Sequence, residues 1–289
     1  MANEDQKISK ELDCFKAELS DKDFQAFSTF IFNEYGIKMP PIKRIMLQGR
    51  LLKRIRELNM KSYSEYKEYF FSKEGQEKEL YNFLNVVTTN KTDFFREPAH
   101  FDFLNGTVLT EFTRKSPSRV FKVWSAGCSS GEEPYTLAIV LNEFKKQNPS
   151  FVFNIMGTDI SNQVLEKAAK GVYAEQKIEI IPLELKKKYF LKSKDRTNPT
   201  VRVKPELQTN LSLKHLNLMD NFYDVKEIFS AVFCRNVLIY FDRHTQEKVI
   251  NKLCQQLEPG GYFFIGHSES LSGMSVPLVH IKPTIFQKV

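Results

Sequence analysis

Apolar positions in the first ninety residues recur with the period of an α-helix. Phe24, Phe27 and Ile31 follow one another at three- and four-residue spacing, and Gly36 is a plausible helix stop. Further helices are predicted after the Pro40-Pro41 pair, from Ser62 or Ser64, and from Gly75 to Val87. The pattern therefore predicts an all-α N-terminal domain over residues 1–90.

From residue 116 onwards, short apolar runs alternate with helical segments. Residues 91–115 before them are interpreted as a linker that also contributes to the active site. Strands are predicted at residues 120–126, 151–157, 231–234 and 262–265, and helices at 132–144, 161–169 and 243–257, with a turn at 258–261. Strands that alternate with helices form a mainly parallel sheet covered on both faces. We therefore predict a Rossmann-like doubly wound α/β domain over residues 116–289.

Two stretches of this second domain depart from the alternation. Short strand candidates at residues 189–191, 200–204 and 207–213 are separated by turn-rich residues, which predicts a small antiparallel β insert at about 188–214. The residues from His280 to the end are predicted to form a last strand folded back on the strand of Phe263.

Composition excludes several classes of protein. With 42% hydrophobic and 27% charged residues, 12 Gly and 12 Pro, the chain has the balance of a soluble globular protein and not of a disordered or collagen-like one. Its four cysteines are far apart and form no CxxC pair, so neither a disulfide framework nor a metal site is expected. The N-terminus lacks the apolar stretch of a signal peptide, so we expect a cytoplasmic protein without membrane insertion.

The positive charge of the chain is concentrated in one segment. The formal net charge is +7, and residues 38–61 hold eight basic residues and one acidic one, which leaves 34 of each sign elsewhere. On a helical wheel, four of these bases cluster on one side: Lys43, Arg50, Lys53 and Arg54. A neutral body with one basic helix face predicts a local docking surface for an anionic partner, the alternative being an ordinary solvated face.

The loop after the first predicted strand is the first candidate binding site, because ligands of doubly wound sheets bind at the carboxyl ends of the strands. Gly127 and Gly131 allow close approach of the backbone, but GxGxxG is absent, and Glu132 and Glu133 stand where a pyrophosphate would need an anion-binding helix start. A dinucleotide is therefore disfavoured. A carboxylate at this place can instead hold an ammonium group.

Asp159 ends the second predicted strand, about thirty residues after the glycine loop. An acidic side chain in that place typically binds the hydroxyl groups of a ribose. Together with the first loop, it indicates a nucleoside with an amino-acid tail and no phosphate, which describes S-adenosylmethionine. The alternative is a helix cap at Asp159 and surface charges at Glu132 and Glu133.

Three further segments carry polar side chains at predicted loops. Residues 88–97 combine amide, hydroxyl and guanidinium groups around an aromatic pair, although a capped interdomain linker would look the same. In residues 215–220, Asn217 and Leu218 could contact an adenine. In residues 234–240, Asn236 is a polar residue at the end of a core strand, and Tyr240 taken alone is more typical of packing.

Taken together, the segments TTNKTDFFRE, SAGCSSGEEPYTLAI, GTDIS, HLNLMD and CRNVLIYFD resemble the motifs of the CheR family, the chemotaxis receptor methyltransferases. The resemblance covers nearly the whole chain. It implies an S-adenosylmethionine-dependent enzyme, without a metal, that methyl-esterifies glutamate side chains of chemoreceptor cytoplasmic domains and releases S-adenosylhomocysteine. The cofactor contacts that it implies are Asn90, Thr92, Arg96, Glu133, Asp159, Asn217, Leu218, Asn236 and Val237, beside Gly127 of the first loop. Glu132 is the alternative to Glu133.

The resemblance also implies a mechanism and partners. A glutamate nucleophile, with a reference pKa of about 4.3, is already ionised at neutral pH, so no general base is needed. Arg96 is expected to orient this carboxylate, and Tyr240 to line the path of the methyl group. The basic helix face would meet the acidic stripe of a receptor helix. The enzyme is expected in the cytoplasm, recruited to membrane receptor arrays. The predicted hairpin SKDRTNPT lacks the glycines known in the family, so binding of the receptor's C-terminal tether peptide by the insert stays open.

Two other classes of function compete with this interpretation. The first is a methyltransferase of the same fold that acts on nucleic acid or on another signalling protein. Nucleic acid is disfavoured because CRNVLIY lacks the prolines of base-methylating loops, and no Pro-Cys nucleophile is present. The second is a regulatory module that senses the cofactor without catalysis.

Overall fold

The computed structural model describes residues 18–116 and 118–289, which form two compact units divided between Thr89 and Asn90. The described helices of the first unit are α1 (Asp21–Tyr35), α2 (Arg44–Glu57), α3 (Tyr63–Phe71), α4 (Lys73–Lys78) and α5 (Leu80–Val87), with a 3₁₀ turn at Pro41–Lys43. The prediction of an all-α N-terminal domain is confirmed. None of the helices in the described ranges is long and apolar enough to cross a membrane.

Local signals set the ends of the helices in this unit. The Ser20 side chain accepts a hydrogen bond from the N–H of Asp23, and Gly36 ends α1 in the left-handed conformation at φ 67°. The helix predicted from 75 to 87 is interrupted at Glu79, which lies between α4 and α5. Glu79 is 1% exposed and accepts hydrogen bonds from Arg54 and Tyr66, so the interruption places a buried carboxylate between two helices.

The second unit contains a seven-stranded sheet of β1 (Val120–Ala126), β2 (Val152–Asp159), β6 (Leu211–His215), β7 (Phe229–Cys234), β8 (Leu257–Ile265), β9 (Leu278–Lys282) and β10 (Ile285–Lys288). The spatial order of these strands is β6-β2-β1-β7-β8-β10-β9. The first five strands of the spatial order are parallel, and β10 is antiparallel to both of its neighbours. The predicted return of the last strand onto that of Phe263 is confirmed by the pairing of Phe286 with Phe263.

The described α-helices of this unit are α6 (Ala99–Phe103), α7 (Leu109–Lys115), α8 (Glu132–Gln147), α9 (Asn162–Lys170), α10 (Leu183–Tyr189), α11 (Pro205–Gln208) and α12 (Arg243–Gln255), with a π-helical turn at Leu104–Val108 between the first two and 3₁₀ turns at Glu175–Ile178 and Leu238–Tyr240. Side chains of β1 alternate between two apolar clusters. Phe121 and Val123 belong to one cluster, and Trp124 and Ala126 to the other. The sheet is therefore covered on both faces, and the predicted doubly wound α/β fold is confirmed.

The small antiparallel sheet is present, but its strands differ from the predicted ones. It consists of β3 (Val172–Ala174), β5 (Thr200–Val203) and β4 (Phe190–Lys192) in that spatial order. The strand predicted at 207–213 is wrong, because this stretch contains the end of α11 and the start of β6, which pairs in parallel with β2 at the edge of the main sheet. A short apolar run does not specify its partner strand, so the sequence pattern could not separate β6 from the insert.

The turn predicted at 258–261 is also wrong, because these residues lie inside β8. Leu257 pairs with Phe229, and Tyr262 pairs with Ala231, so the register shifts by three residues within this strand. Gly260 takes φ 75°, a conformation open to glycine, which allows an irregular strand where the sequence pattern predicts a turn.

Candidate active site

The strand order reverses between β1 and β7, because the chain continues from β1 to β2 on one side and places β7 on the other. This is the topological switch point at which doubly wound sheets bind ligands. The loops that follow these two strands are in contact. A Cβ atom at Gly127, which has φ 83°, would overlap Cγ2 of Val237, so only glycine fits between the two loops.

Asp159 lies at the carboxyl end of β2, beside the loop that follows β1. Its carboxylate accepts hydrogen bonds from the backbone N–H of Ser129 at 2.9 Å and of Ser161 at 3.0 Å. Burial raises its pKa above the ordinary value, and these N–H groups partly offset that effect. The helix cap of α9 is Ser161, whose side chain accepts from the N–H of Val164. Asp159 is therefore not an N-cap residue, and its fixed carboxylate suits a pair of ribose hydroxyls.

The two acidic residues at the start of α8 point in different directions. Glu132 accepts a hydrogen bond from the Ser130 hydroxyl at 2.7 Å and lies 3.8 Å from the Lys177 ammonium. Glu133 accepts from the Ser125 hydroxyl at 2.7 Å and lies 3.2 Å from Nη1 of Arg235, which follows β7. Of the two, Glu133 is thus the one that contacts both sides of the switch point. Neither residue is an exposed helix-start charge, since both side chains are at most 15% exposed.

Burial raises the pKa of Glu133 above its ordinary value, while Arg235 and the Ser125 hydroxyl lower it. This environment makes the ionised carboxylate dependent on a nearby positive charge. A cationic ammonium group is a ligand that such a carboxylate would stabilise.

The loop after β7 is held by a buried carboxylate that sequence reasoning missed. Glu269 accepts hydrogen bonds from the backbone N–H groups of Asn236 at 3.0 Å, Gly266 at 2.6 Å and Ile239 at 3.2 Å. Asn236 takes φ 59°, and a Cβ atom at Gly266 would overlap its amide group. Glu269 therefore fixes the backbone of the loop that presents Asn236. The only signal in the sequence was an acid soon after a core strand.

Glu97 is a second carboxylate that the sequence analysis did not single out. It accepts hydrogen bonds from the backbone N–H of His267 at 3.1 Å and from the Asn236 amide at 3.4 Å, and it lies 3.2 Å from Nη2 of Arg235. Burial opposes ionisation, but the His267 N–H and Arg235 hold the pKa of Glu97 below its ordinary value. Glu97 thus ties the end of the 90–97 segment to the loops after β7 and β8.

Glu97, His100 and His267 place three potential metal-ligating atoms within 4.8 Å of one another in the described chain. The charge of Glu97 is already balanced by Arg235, and its oxygens accept two further hydrogen bonds. His100 is 1% exposed, and burial and Arg235 lower its pKa to about 4. The charge of Glu97 is thus balanced by Arg235 within the chain, and we assign no metal to this group.

The 90–97 segment approaches the loop after β1 through its main chain. The Ser129 hydroxyl donates to the carbonyl of Asn90 at 3.0 Å, and the Lys177 ammonium donates to the carbonyl of Thr92 at 2.7 Å. Arg96 is half-buried, and its Nη1 donates to the carbonyl of Lys91 at 3.1 Å. The segment is therefore part of the second unit and not a simple linker.

The other predicted contacts lie on loops of the same unit. Asn217 accepts a hydrogen bond from the N–H of Met219 at 3.0 Å through its side-chain oxygen, and Leu218 is 8% exposed, just after β6. Tyr240 is half-buried and ends the 3₁₀ turn Leu238–Tyr240 that follows Asn236 and Val237. These positions are loop residues after the carboxyl ends of β6 and β7.

In the helical unit, two of the four bases predicted to dock a partner have partners within the unit. Arg54 forms two hydrogen bonds of 2.7 Å with Glu79 and also contacts Glu57. Arg50 donates to the carbonyls of Val87 and Thr88 and to the Thr89 hydroxyl. Arg54 thus connects α2 to the start of α5, and Arg50 connects α2 to the end of α5.

The other two bases are more open to solvent. Lys53 is 76% exposed and lies 3.8 Å from Glu57, and Lys43 is half-buried at the end of the 3₁₀ turn before α2. Of the four bases, Lys53 is therefore the one whose positive charge is most exposed to solvent.

These residues fit S-adenosylmethionine better than a phosphate-bearing cofactor. Two carboxylates are fixed by hydrogen bonds at this place. Asp159 accepts from Ser129 of the loop after β1, and Glu133 accepts from Ser125 of β1 itself. Two carboxylates repel a pyrophosphate but accept hydrogen bonds from hydroxyl and ammonium groups.

Comparison with known proteins gives matches along almost the whole chain. The family model described as CheR methyltransferase, SAM binding domain, matches residues 90–286, and that described as CheR methyltransferase, all-alpha domain, matches residues 22–88. A chemotaxis protein methyltransferase of Borreliella burgdorferi is 36% identical over 262 residues, covering 89% of this chain and 91% of that protein. The protein of the same name in Escherichia coli is 35% identical over 254 residues, covering 88% and 86%.

Proposed function

The chain belongs to the CheR methyltransferase family, and we propose that it transfers methyl groups from S-adenosylmethionine to glutamate side chains of methyl-accepting chemotaxis receptors. The structural observation that supports the cofactor is the pair of fixed carboxylates, Asp159 and Glu133, that adjoin the Gly127 loop at the switch point. The receptor as acceptor is supported by the similarity to chemotaxis protein methyltransferases. The expected place of action is the cytoplasm, at receptor arrays.

Each carboxylate would hold one end of the cofactor. Asp159 is kept in place by two backbone N–H groups and would accept hydrogen bonds from the ribose hydroxyls. Glu133 would accept from the ammonium group of the methionine tail. Gly127, Asn236 and Val237 would contact the cofactor from the loops after β1 and β7. Asn217 and Leu218 would contact its adenine, and Asn90, Thr92 and Arg96 would cover it from the 90–97 segment.

S-adenosylmethionine, when bound, supplies a methyl group made electrophilic by its sulfonium. The chain then has to position an acceptor carboxylate that is already ionised near neutral pH, because the reference pKa of glutamate is about 4.3. Arg96 would orient this carboxylate through its guanidinium, and Tyr240 would line the path between the two reactants. No general base is required, since the nucleophile carries no proton.

The basic face of α2 would contact an acidic receptor helix mainly through the exposed Lys53, with Lys43 in the turn before the helix and with Arg50 and Arg54 held by partners within the unit. Such exposed contacts act through long-range attraction and weaken with salt. Charge reversal at Lys53 should raise the receptor KM and leave cofactor affinity unchanged. An unchanged KM at low salt would contradict this docking role.

The test of the function is incubation with radiolabelled S-adenosylmethionine and receptor-containing membranes. We expect label in the receptor band as a base-labile methyl ester, and much less of it with Asp159→Asn at the same low cofactor concentration. Label in added RNA, DNA or another signalling protein would favour a different acceptor, and cofactor binding without transfer to any of them would favour a sensing role. Receptors with and without their C-terminal residues would show whether the small sheet binds a tether peptide.

A further inference from the structure

Arg235 is a deeply buried charged side chain at the switch point, at 2% exposure. It follows β7, and its guanidinium lies between two carboxylates, with Nη1 3.2 Å from Glu133 and Nη2 3.2 Å from Glu97. Nη2 also donates to the main-chain carbonyl of Arg96, and the guanidinium lies 5.3 Å from the ring centre of Phe101. One side chain thus contacts the start of α8, the 90–97 segment and α6.

The hydrogen bonds of Arg235 are incomplete. Its Nε and Nη1 atoms are buried and have no acceptor among the described residues, so the contact with Glu133 is an ion pair without hydrogen-bond geometry. A buried arginine with unused donors is costly as a packing element. Stability of the fold alone is therefore a poor explanation for its position.

The charge of Arg235 acts on Glu133, the group proposed to bind the cofactor's ammonium. We propose that Arg235 is a positioning residue for the cofactor, which keeps Glu133 as a charged and oriented acceptor and fixes the main chain at Arg96. This inference rests on the proposed function, because it assumes that Glu133 binds the methionine tail.

The surroundings of Glu133 indicate what loss of Arg235 would do. Five ionisable groups face it: Arg235 and Cys234 at the end of β7, Arg96 and Glu97 in the 90–97 segment, and Cys128 in the loop after β1. Burial and Glu97 favour the neutral form of Glu133, whereas Arg235 is the largest charge that favours the ionised form. Without Arg235, Glu133 would take up a proton at higher pH and lose its affinity for an ammonium group.

The experiment compares two ligands over a range of pH. Binding of S-adenosylhomocysteine, which has the amino-acid tail, and of 5′-methylthioadenosine, which lacks it, is measured by calorimetry from pH 6 to pH 8. For Arg235→Met we expect S-adenosylhomocysteine to bind about tenfold more weakly than to the wild type at pH 6. This difference in affinity for S-adenosylhomocysteine between Arg235→Met and the wild type should become smaller towards pH 8. The affinity for 5′-methylthioadenosine should be nearly the same in the two proteins at every pH.

Two variants serve as controls. Arg235→Lys retains a positive charge and should show a pH profile closer to that of the wild type than Arg235→Met does. Arg119→Met removes an arginine with the same kinds of neighbours, since Arg119 pairs with Glu258 and lies 5.8 Å from the ring centre of Phe112. Arg119 precedes β1, at the end of the strand away from the site, so its removal should leave both affinities unchanged.

The outcomes separate this inference from the function on which it rests. Equal weakening of both ligands by Arg235→Met, or weakening that is independent of pH, would mean that Arg235 only supports the fold and would overturn the proposal. If Glu133→Gln weakened S-adenosylhomocysteine but Arg235→Met and Arg235→Lys both bound it as the wild type does, the inference would fail and the ammonium site would stand. Equal affinity of the wild type and Glu133→Gln for S-adenosylhomocysteine would instead overturn the ammonium site itself.

Discussion

The contact between Gly127 and Val237 allows a quantitative test of how the two loops at the switch point are fitted together. In Gly127→Ala, the new methyl group would overlap Cγ2 of Val237 and lie 3.5 Å from its Cβ, at a residue with φ 83°. The left-handed conformation costs about 1 to 2 kcal/mol for a residue other than glycine, and relief of the overlap about 1 to 3 kcal/mol. We expect the free energy of unfolding to fall by about 2 to 5 kcal/mol.

A double-mutant cycle with Val237→Ala separates the two contributions. Val237→Ala removes the atom that is overlapped but leaves the backbone at Gly127 unchanged, so the double variant should recover the steric part and keep the conformational part. The expected coupling is about 1 to 3 kcal/mol in favour of the double variant, measured by urea unfolding. Additive effects of the two substitutions would refute the contact as described, as would a Gly127→Ala protein as stable as the wild type.

Three further predictions concern single side chains. Asp159→Asn should weaken S-adenosylhomocysteine binding by about 10- to 100-fold, since hydrogen bonds to a charged group are worth about 1.5 to 3 kcal/mol, and calorimetry showing unchanged affinity would contradict the ribose role. Arg54→Met should lower the free energy of unfolding by about 3 to 5 kcal/mol, because it leaves the buried Glu79 carboxylate without its positively charged partner. Lys53→Met, at an exposed position, should change the free energy of unfolding by less than about 0.5 kcal/mol, and equal effects of the two substitutions in urea unfolding would contradict this. His100 should lower stability as pH falls from 6.5 to about 4, because its pKa is lower in the folded than in the unfolded chain, and the unfolded chain therefore takes up the proton first. Urea unfolding of His100→Gln at several pH values should show a weaker loss over this window, and an identical loss would contradict the assignment.

Local patterns in the sequence predicted the helices and strands of this fold better than they predicted which strands pair with one another. Alternating apolar runs and helical periods were enough for the doubly wound sheet, since each signal is local. The small sheet shows the limit. Val172–Ala174 is only three residues long and was not predicted, and Leu211–His215 joins the main sheet. Strand pairing depends on contacts between residues distant in the sequence, which no local pattern contains.

The candidate site shows a similar division. The positions of Asp159, Glu133 and Gly127 at or just after the carboxyl ends of strands could be predicted, because the apolar runs before them are local signals and their spacing is typical of nucleoside-binding sheets. Arg235, Glu97 and Glu269 could not, because an isolated charged residue gives no sign of being buried or of which backbone groups it will contact. Their contacts depend on three loops meeting at the edge of one sheet.

The backbone of the site explains why such supporting residues are needed. In the described chain six residues other than glycine have positive φ, and four of them lie in the loops at the switch point: Phe95, Glu97, Ser129 and Asn236. Conformations of this kind cost about 1 to 3 kcal/mol each and persist only where surrounding structure holds them.

In this protein, side chains from other elements hold three of these residues by their backbone N–H. That of Phe95 donates to the Thr136 hydroxyl, that of Ser129 to Asp159, and that of Asn236 to Glu269. Asp159 thus has two tasks, since the carboxylate proposed to bind the ribose also restrains the loop that would lie beside it. Cofactor binding and loop conformation should therefore be coupled. Hydrogen exchange at the Ser129 amide should speed up in Asp159→Asn even without ligand, and exchange at the wild-type rate would show that the loop keeps its shape by other means.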